Sequence, residues 1–148
     1  MKLQKATRYG LYAVLELAAN PDEQLSATDI AAAYGISGNH LAKVLRDLGR
    51  AGLVESARGA GGGYRFSGNA RRVTLLDVIS LFEDISSDTG SGDGADTEIG
   101  RALDLVLGEI DDIARATFGS ITIETLLKTM RWRREREART AADLASPS

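Results

Sequence analysis

The chain of 148 residues contains no cysteine. Disulfide bridges, thiolate metal sites and catalysis by a thiol are therefore excluded. It also contains a single histidine, His40, which cannot form a metal site alone. Because the sequence holds no nucleophile motif and no paired acid and base, we expect that the protein is not an enzyme.

Long hydrophobic runs are absent as well. No uninterrupted apolar stretch approaches the roughly 18 residues that a membrane-spanning helix needs. The first ten residues, MKLQKATRYG, lack the apolar segment of a secretory signal. We therefore expect a cytoplasmic protein with no membrane partner. Its 43% hydrophobic and 26% charged residues are typical of a folded soluble chain.

The net charge of −3 conceals a separation of charge along the chain. Residues 1–72 hold ten Lys and Arg against six Asp and Glu, whereas residues 73–126 hold two against twelve. Residues 127–148 are basic again, with six against three. A polyanion would be attracted to the first segment and repelled by the second.

The first fifty residues show the pattern of three helices. Apolar residues at helical spacing predict a helix from Ala6 to Asn20. Ser26 and Asp29 form a capping-box pattern that opens a short second helix, and Gly35 is placed to end it. A third helix is expected to begin at Ser37. The spacing favours a helix-turn-helix unit, although any three-helix cluster remains an alternative at this point. Four residues of the third helix should face the core: Leu41, Val44, Leu45 and Leu48.

Two short stretches of strand-forming residues follow, at 53–57 and 64–67, with the glycine-rich RGAGGG between them. A phosphate-binding loop or a dinucleotide fingerprint would need a helix directly after the glycines, and none is predicted there. A two-stranded ribbon after the third helix is the wing of a winged helix. The sequence thus predicts a mainly α fold, a winged helix-turn-helix with a small two-stranded wing and a long C-terminal dimerisation helix.

The second half of the chain predicts further helices around an acidic loop. Thr74 and Asp77 form another capping box, and a long helix and a basic final helix follow the loop. We expect a winged domain at 1–83, a flexible acidic loop at 84–97, the two helices at 98–139 and a disordered tail at 140–148. Apolar residues at steps of four and three form a seam that favours homodimerisation, with packing inside the monomer as the alternative. This apolar seam consists of Ile99, Leu103, Val106, Ile110 and Ile113.

Four segments carry a family resemblance: RYGLYAVLELA near the start, IAAAYGISGNHLAKVLRDLGRAGLVES in the helix-turn-helix, RGAGGGYRF in the wing and VTLLDVI after it. They resemble the Rrf2 family of winged-helix regulators, which includes IscR, NsrR, RirA and CymR. The resemblance runs from about residue 2 to 83, with weaker similarity through ITIETLL. It implies a homodimer on a near-palindromic operator in double-stranded DNA, with recognition helices in successive major grooves and wings in the minor groove.

Polar residues of the third helix and the wing are the candidate DNA contacts. The first turns of a recognition helix read bases, while later arginines suit phosphates. Arginines of a wing can enter a narrow minor groove that glycines allow the backbone to approach. A solvated helix face is the alternative for each residue alone. The candidates are Ser37 and Asn39 for bases, His40 and Lys43 for a base or a phosphate, Arg46, Arg50, Lys5 and Arg8 for phosphates, and Arg58, Gly61, Gly62 and Arg65 in the wing.

The chain departs from the family in its missing cysteines. Many relatives hold an iron–sulfur cluster on three cysteines in the loop that corresponds to 84–97, and such clusters are held chiefly by thiolates. We therefore expect no cofactor and no metal site. The predicted function is a sequence-specific transcriptional regulator, a homodimeric repressor that works without a cluster. A small molecule or a protein could be its effector. The alternative function is a protein–protein adaptor on a winged-helix scaffold.

Overall fold

The computed structural model describes residues 1–58, 62–86 and 92–146. Within these ranges the chain is mainly helical, with one two-stranded antiparallel sheet. This architecture confirms the predicted fold class. In chain order the elements are α1 (Lys5–Ala19), α2 (Ala27–Tyr34), α3 (Gly38–Arg50), β1 (Val54–Ala57), β2 (Gly63–Phe66), α4 (Leu75–Ile79), α5 (Glu98–Ser120) and α6 (Ile123–Ala145).

The helix-turn-helix unit is built on the predicted caps. The Ser26 side chain accepts a hydrogen bond from the Asp29 backbone, and the Asp29 carboxylate accepts one from the Ser26 backbone. Gly35 ends α2 with a φ of 64°, a left-handed conformation that costs glycine little. Ser37 then caps α3 by accepting from the His40 backbone N–H at 3.4 Å. The turn between α2 and α3 is therefore only three residues long.

The hydrophobic core lies between α1 and the helix-turn-helix unit, and it is closed by later elements. Leu17 of α1 and the four predicted residues of α3 are fully or almost fully buried. Val78 of α4 and Ile123 of α6 are also completely buried. Because the apolar face of α3 is buried in this core, the opposite face of the helix is exposed and can contact solvent or a ligand.

The wing is fixed to the helical core by one of its strands. In the ribbon, Val54 pairs with Phe66 and Ala57 pairs with Gly63. The Tyr64 N–H also donates to the Leu25 carbonyl at 2.8 Å, and the Leu25 N–H donates back at 3.2 Å. The Tyr64 side chain is partly buried and packs against the core. The base of the wing is thus bonded to the segment that precedes α2.

Helix α1 is held to the segment after α4 by two neighbouring residues. A Cβ on Gly10 would overlap the Phe82 ring, so glycine permits the close approach of this ring to α1. The Glu83 carboxylate accepts from the Gln4 backbone N–H at 2.8 Å and from the Thr7 hydroxyl at 2.5 Å. Gln4 is the N-cap residue and makes no side-chain cap bond itself. Glu83 therefore supplies the cap of α1 from far along the chain.

The two C-terminal helices are more exposed than the winged domain. No residue of α5 is buried, and Ile123 is the only buried residue of α6. The prediction of a tail from residue 140 was wrong for 140–145, which continue α6. Alanine and leucine dominate this stretch, and both are strong helix formers. Among the described residues, no helix is long and apolar enough to cross a membrane.

Candidate nucleic-acid interface

The outer face of α3 carries four polar residues in one line. Asn39, Lys43, Arg46 and Arg50 are all exposed and follow each other at steps of four, three and four residues. At 3.6 residues per turn this spacing places them on one side of the helix. None of the three basic side chains forms an ion pair within the described parts of the chain. We call this line the polar stripe, and exposed Ser37 lies at its N-terminal end.

His40 lies off the polar stripe, on the side of α3 that meets α1. Its ring is half-buried and meets the Tyr9 ring edge-on, with centroids 4.9 Å apart and planes at 75°. That His40 contacts a base or a phosphate stays a prediction. No sequence pattern indicates Tyr9 as the neighbour of His40, because the two residues belong to helices that only the folded chain brings together.

The wing presents two exposed arginines. Arg58 directly follows β1, and Arg65 lies within β2 opposite Glu55. Neither guanidinium takes part in an ion pair within 1–58, 62–86 or 92–146. Gly62 is exposed and has a φ of 58°, a conformation suited to glycine at a turn. Gly61 lies outside the described residues. Two free positive charges therefore flank the turn of the ribbon.

The beginning of α1 adds two exposed cations, Lys5 and Arg8. One Arg8 guanidinium nitrogen donates to the Tyr12 hydroxyl at 2.8 Å. The Tyr12 ring stacks on Tyr34, with centroids 4.8 Å apart and planes 7° from parallel. Tyr34 in turn donates its hydroxyl to Glu16 at 2.8 Å. Burial, and then the Glu16 carboxylate, raises the pKa of Tyr34 above its ordinary value, so this hydroxyl remains a donor.

The predicted apolar seam lies on the surface of α5. Ile99 is 82% exposed, and the other four seam residues are each more than half exposed. Helix α5 contacts α4, but its seam is not covered by the chain itself. Large exposed apolar patches on proteins are typical of interaction surfaces.

Comparison with known proteins identifies the family to which this chain belongs. The family model of Rrf2, described as an iron-dependent transcriptional regulator, matches residues 3–129. The chain belongs to the Rrf2 family. Family and relatives are transcriptional regulators, which agrees with the expectation that the protein is not an enzyme.

Relatives of this Rrf2 chain are similar in sequence and in fold. This chain is 59% identical over 139 residues to BadM of Rhodopseudomonas palustris, described as a candidate HTH-type transcriptional regulator. The matched region covers 94% of this chain and 89% of BadM. Its fold matches T. potens IscR with a TM-score of 0.72, at 27% identity and 88% coverage of each chain. CymR, the global cysteine regulator of B. subtilis, matches with a TM-score of 0.73 at 30% identity, over 87% of this chain and 98% of CymR.

The family description implies a bound iron, but the side chains of this Rrf2 chain do not include the ligands that such a site requires. Iron–sulfur clusters need thiolate ligands, and the sequence has no cysteine. His40 of α3, which has the single imidazole, contacts the ring of Tyr9 of α1. In the described ranges no three His, Asp or Glu side chains come together as a metal site. Aspartate and serine oxygens near residues 84–97 are poor ligands for sulfide-bridged iron.

Proposed function

We propose that this Rrf2 protein is a homodimeric, sequence-specific DNA-binding repressor that operates without an iron–sulfur cluster. The observation that carries the proposal is the polar stripe on α3, whose three cations have no partner in the described chain, next to a wing with two more free arginines. Unpaired, exposed cations on a small helix-and-ribbon surface have favourable interactions with a polyanion. The winged-helix fold presents such a helix to the major groove.

Different parts of this surface would have different roles. Asn39 lies in the first turn of α3, where a carboxamide can form two hydrogen bonds with adenine. Arg46 and Arg50, further along the stripe, suit phosphate oxygens and would position the helix without reading sequence. Arg58 and Arg65 suit the narrow minor groove, where the negative potential is strongest.

The exposed seam supports the homodimer. Five apolar residues in a line on α5 lose their contact with water if a second copy covers them with the same surface. Two copies would present two recognition helices, and a near-palindromic operator would match their twofold symmetry. A repressor of this kind acts by occupying its operator. A small molecule or a protein that alters the spacing of the two helices would be its effector.

The proposal is tested by mapping the DNA that the purified protein selects from a random duplex library. We expect a near-palindromic site, protected from cleavage, whose binding weakens as salt rises. Asn39→Ala should lose about 1–3 kcal/mol of discrimination at one base pair. Arg46→Ala is the matched control on the same stripe, and it should weaken all sequences alike. Absence of any selected duplex would instead favour the protein–protein adaptor.

The wing is tested separately with Arg58→Ala and Arg65→Ala. Each should weaken binding to the selected site, because a minor-groove guanidinium is lost. Unchanged affinity in both variants would remove the wing from the proposed interface. Protein prepared with iron and sulfide should remain colourless, and a stable brown cluster would contradict the cluster-free part of the proposal.

A further inference from the structure

Two aromatic residues of α1 contact the helix-turn-helix on opposite sides of its turn. Tyr12 stacks on Tyr34, the last residue of α2, with ring centroids 4.8 Å apart. Tyr9 meets His40 in the first turn of α3, with centroids 4.9 Å apart. Only residues 35–37 lie between α2 and α3. A single helix therefore contacts the chain immediately before and immediately after the turn.

The turn and the first turn of α3 have few other attachments to the core. Ile36 is the one buried residue between Tyr34 and Leu41. Gly35 has no side chain and is exposed, and Ser37 to Asn39 are exposed as well. The first α3 residue that packs into the core is Leu41. The residues that precede it are the ones placed to read bases, and the Tyr9–His40 contact lies among them.

The contact on the α2 side is itself anchored. The Tyr34 hydroxyl donates to Glu16, one turn of α1 beyond Tyr12. Asn20 holds the same carboxylate through its side-chain amide at 3.3 Å, and also donates to the Glu16 carbonyl at 2.8 Å. Tyr34 is thus held by a stack and a hydrogen bond to a single helix. Both ends of this arrangement are fixed, which restricts how the turn can rotate.

We propose that Tyr9 and Tyr12 are positioning residues that hold the turn from both sides and so fix the first turn of the recognition helix. The inference rests on the proposed DNA-binding function. Neither tyrosine has to touch DNA for this role. Loss of either ring would let Ser37 to His40 move relative to the rest of α3, and hydrogen bonds to base edges depend on the position of these residues. Phosphate contacts tolerate such movement better, because they are less directional.

The test compares Tyr9→Leu and Tyr12→Leu with Tyr9→Phe and Tyr12→Phe, using the selected duplex and a scrambled duplex at one salt concentration. The leucine variants should bind the selected site about five- to tenfold more weakly, the size of effect that one lost aromatic contact gives. Binding to scrambled DNA should change less than twofold, and the phenylalanine variants should retain specific affinity. Trp132→Leu, on exposed α6, is the control and should bind like the wild type.

A second readout does not depend on DNA. His40 is the only histidine, so its ring protons give signals that can be assigned by substitution. Tyr9→Leu should shift these signals, because a neighbouring ring is removed, whereas Tyr9→Phe should leave them close to the wild type. Failure of the wild type to select any duplex overturns the proposed function. Specific binding by wild type that persists in both leucine variants overturns this inference, as does equal loss on both duplexes.

Discussion

Replacement of Glu83 by alanine should destabilise the winged domain, although the Glu83 side chain contacts no residue of the proposed DNA surface. The carboxylate accepts from the Gln4 N–H at 2.8 Å and from the Thr7 hydroxyl at 2.5 Å. The variant leaves the N-terminus of α1 uncapped, which costs about 0.5–2 kcal/mol. It also leaves the hydroxyl of Thr7, which is completely buried, without this acceptor, which costs about 1–3 kcal/mol. Together these terms predict a loss of about 1.5–5 kcal/mol in the free energy of unfolding.

The measurement is urea unfolding of the wild type, Glu83→Ala, Thr7→Val and the double variant. Because both side chains belong to one hydrogen bond, the double variant should lose clearly less than the two single losses added together. Glu135→Ala, on an exposed part of α6, is the matched control and should change stability by less than about 0.5 kcal/mol. Additive losses would refute the hydrogen bond between Thr7 and Glu83, and a Glu83 variant as stable as the control would refute the assignment of Glu83 as the cap of α1.

Two further predictions concern the seam and the tyrosine stack. Ile110→Asp places a charge in the middle of the apolar seam, so we expect this variant to sediment as a folded monomer at concentrations where the wild type forms the proposed dimer. A dimer that persists would place the interface elsewhere. Because burial and Glu16 raise the pKa of Tyr34, its contribution to stability should be fully present below the ordinary tyrosine pKa and be lost progressively as pH rises from that pKa through the raised one. In absorbance titration, Tyr34→Phe should therefore leave the phenolate signal near pH 10 unchanged, and a reduced signal would contradict the raised pKa.

The parts of the fold that the sequence predicted are those governed by neighbouring residues. The capping boxes at Ser26 and Thr74 and the left-handed Gly35 follow from side chains and backbone preferences within four residues. The polar stripe and the seam follow from helical periodicity. These signals are local, so a single chain reveals them without any knowledge of tertiary contacts.

The contacts that the sequence did not predict join residues far apart in the chain. Glu83 lies 79 residues from Gln4, and no sequence pattern around either residue predicts the hydrogen bond between them. The helical pattern around Tyr9 likewise does not indicate that its ring contacts His40. The end of α6 was misplaced for a different reason. The composition near Ala141 resembles a frayed terminus, yet its helix propensity is high enough to continue the helix to Ala145.

A structural change at α5 can be transmitted to α1 through packed helices rather than through a metal bound in the loop before α5. The loop before α5 is attached to it by the pair of Asp84 and Arg115 at 3.1 Å. The Ser86 backbone, and then Arg115, lowers the pKa of Asp84, but both partners are exposed, so the pair holds the loop only weakly. Helix α5 instead packs on α4, and Phe82 and Glu83 directly after α4 pack on and cap α1. The packing of α4 between α5 and α1 is thus one path by which an effector bound at α5 would reach α1, and the contact of α6 with α1 is a second.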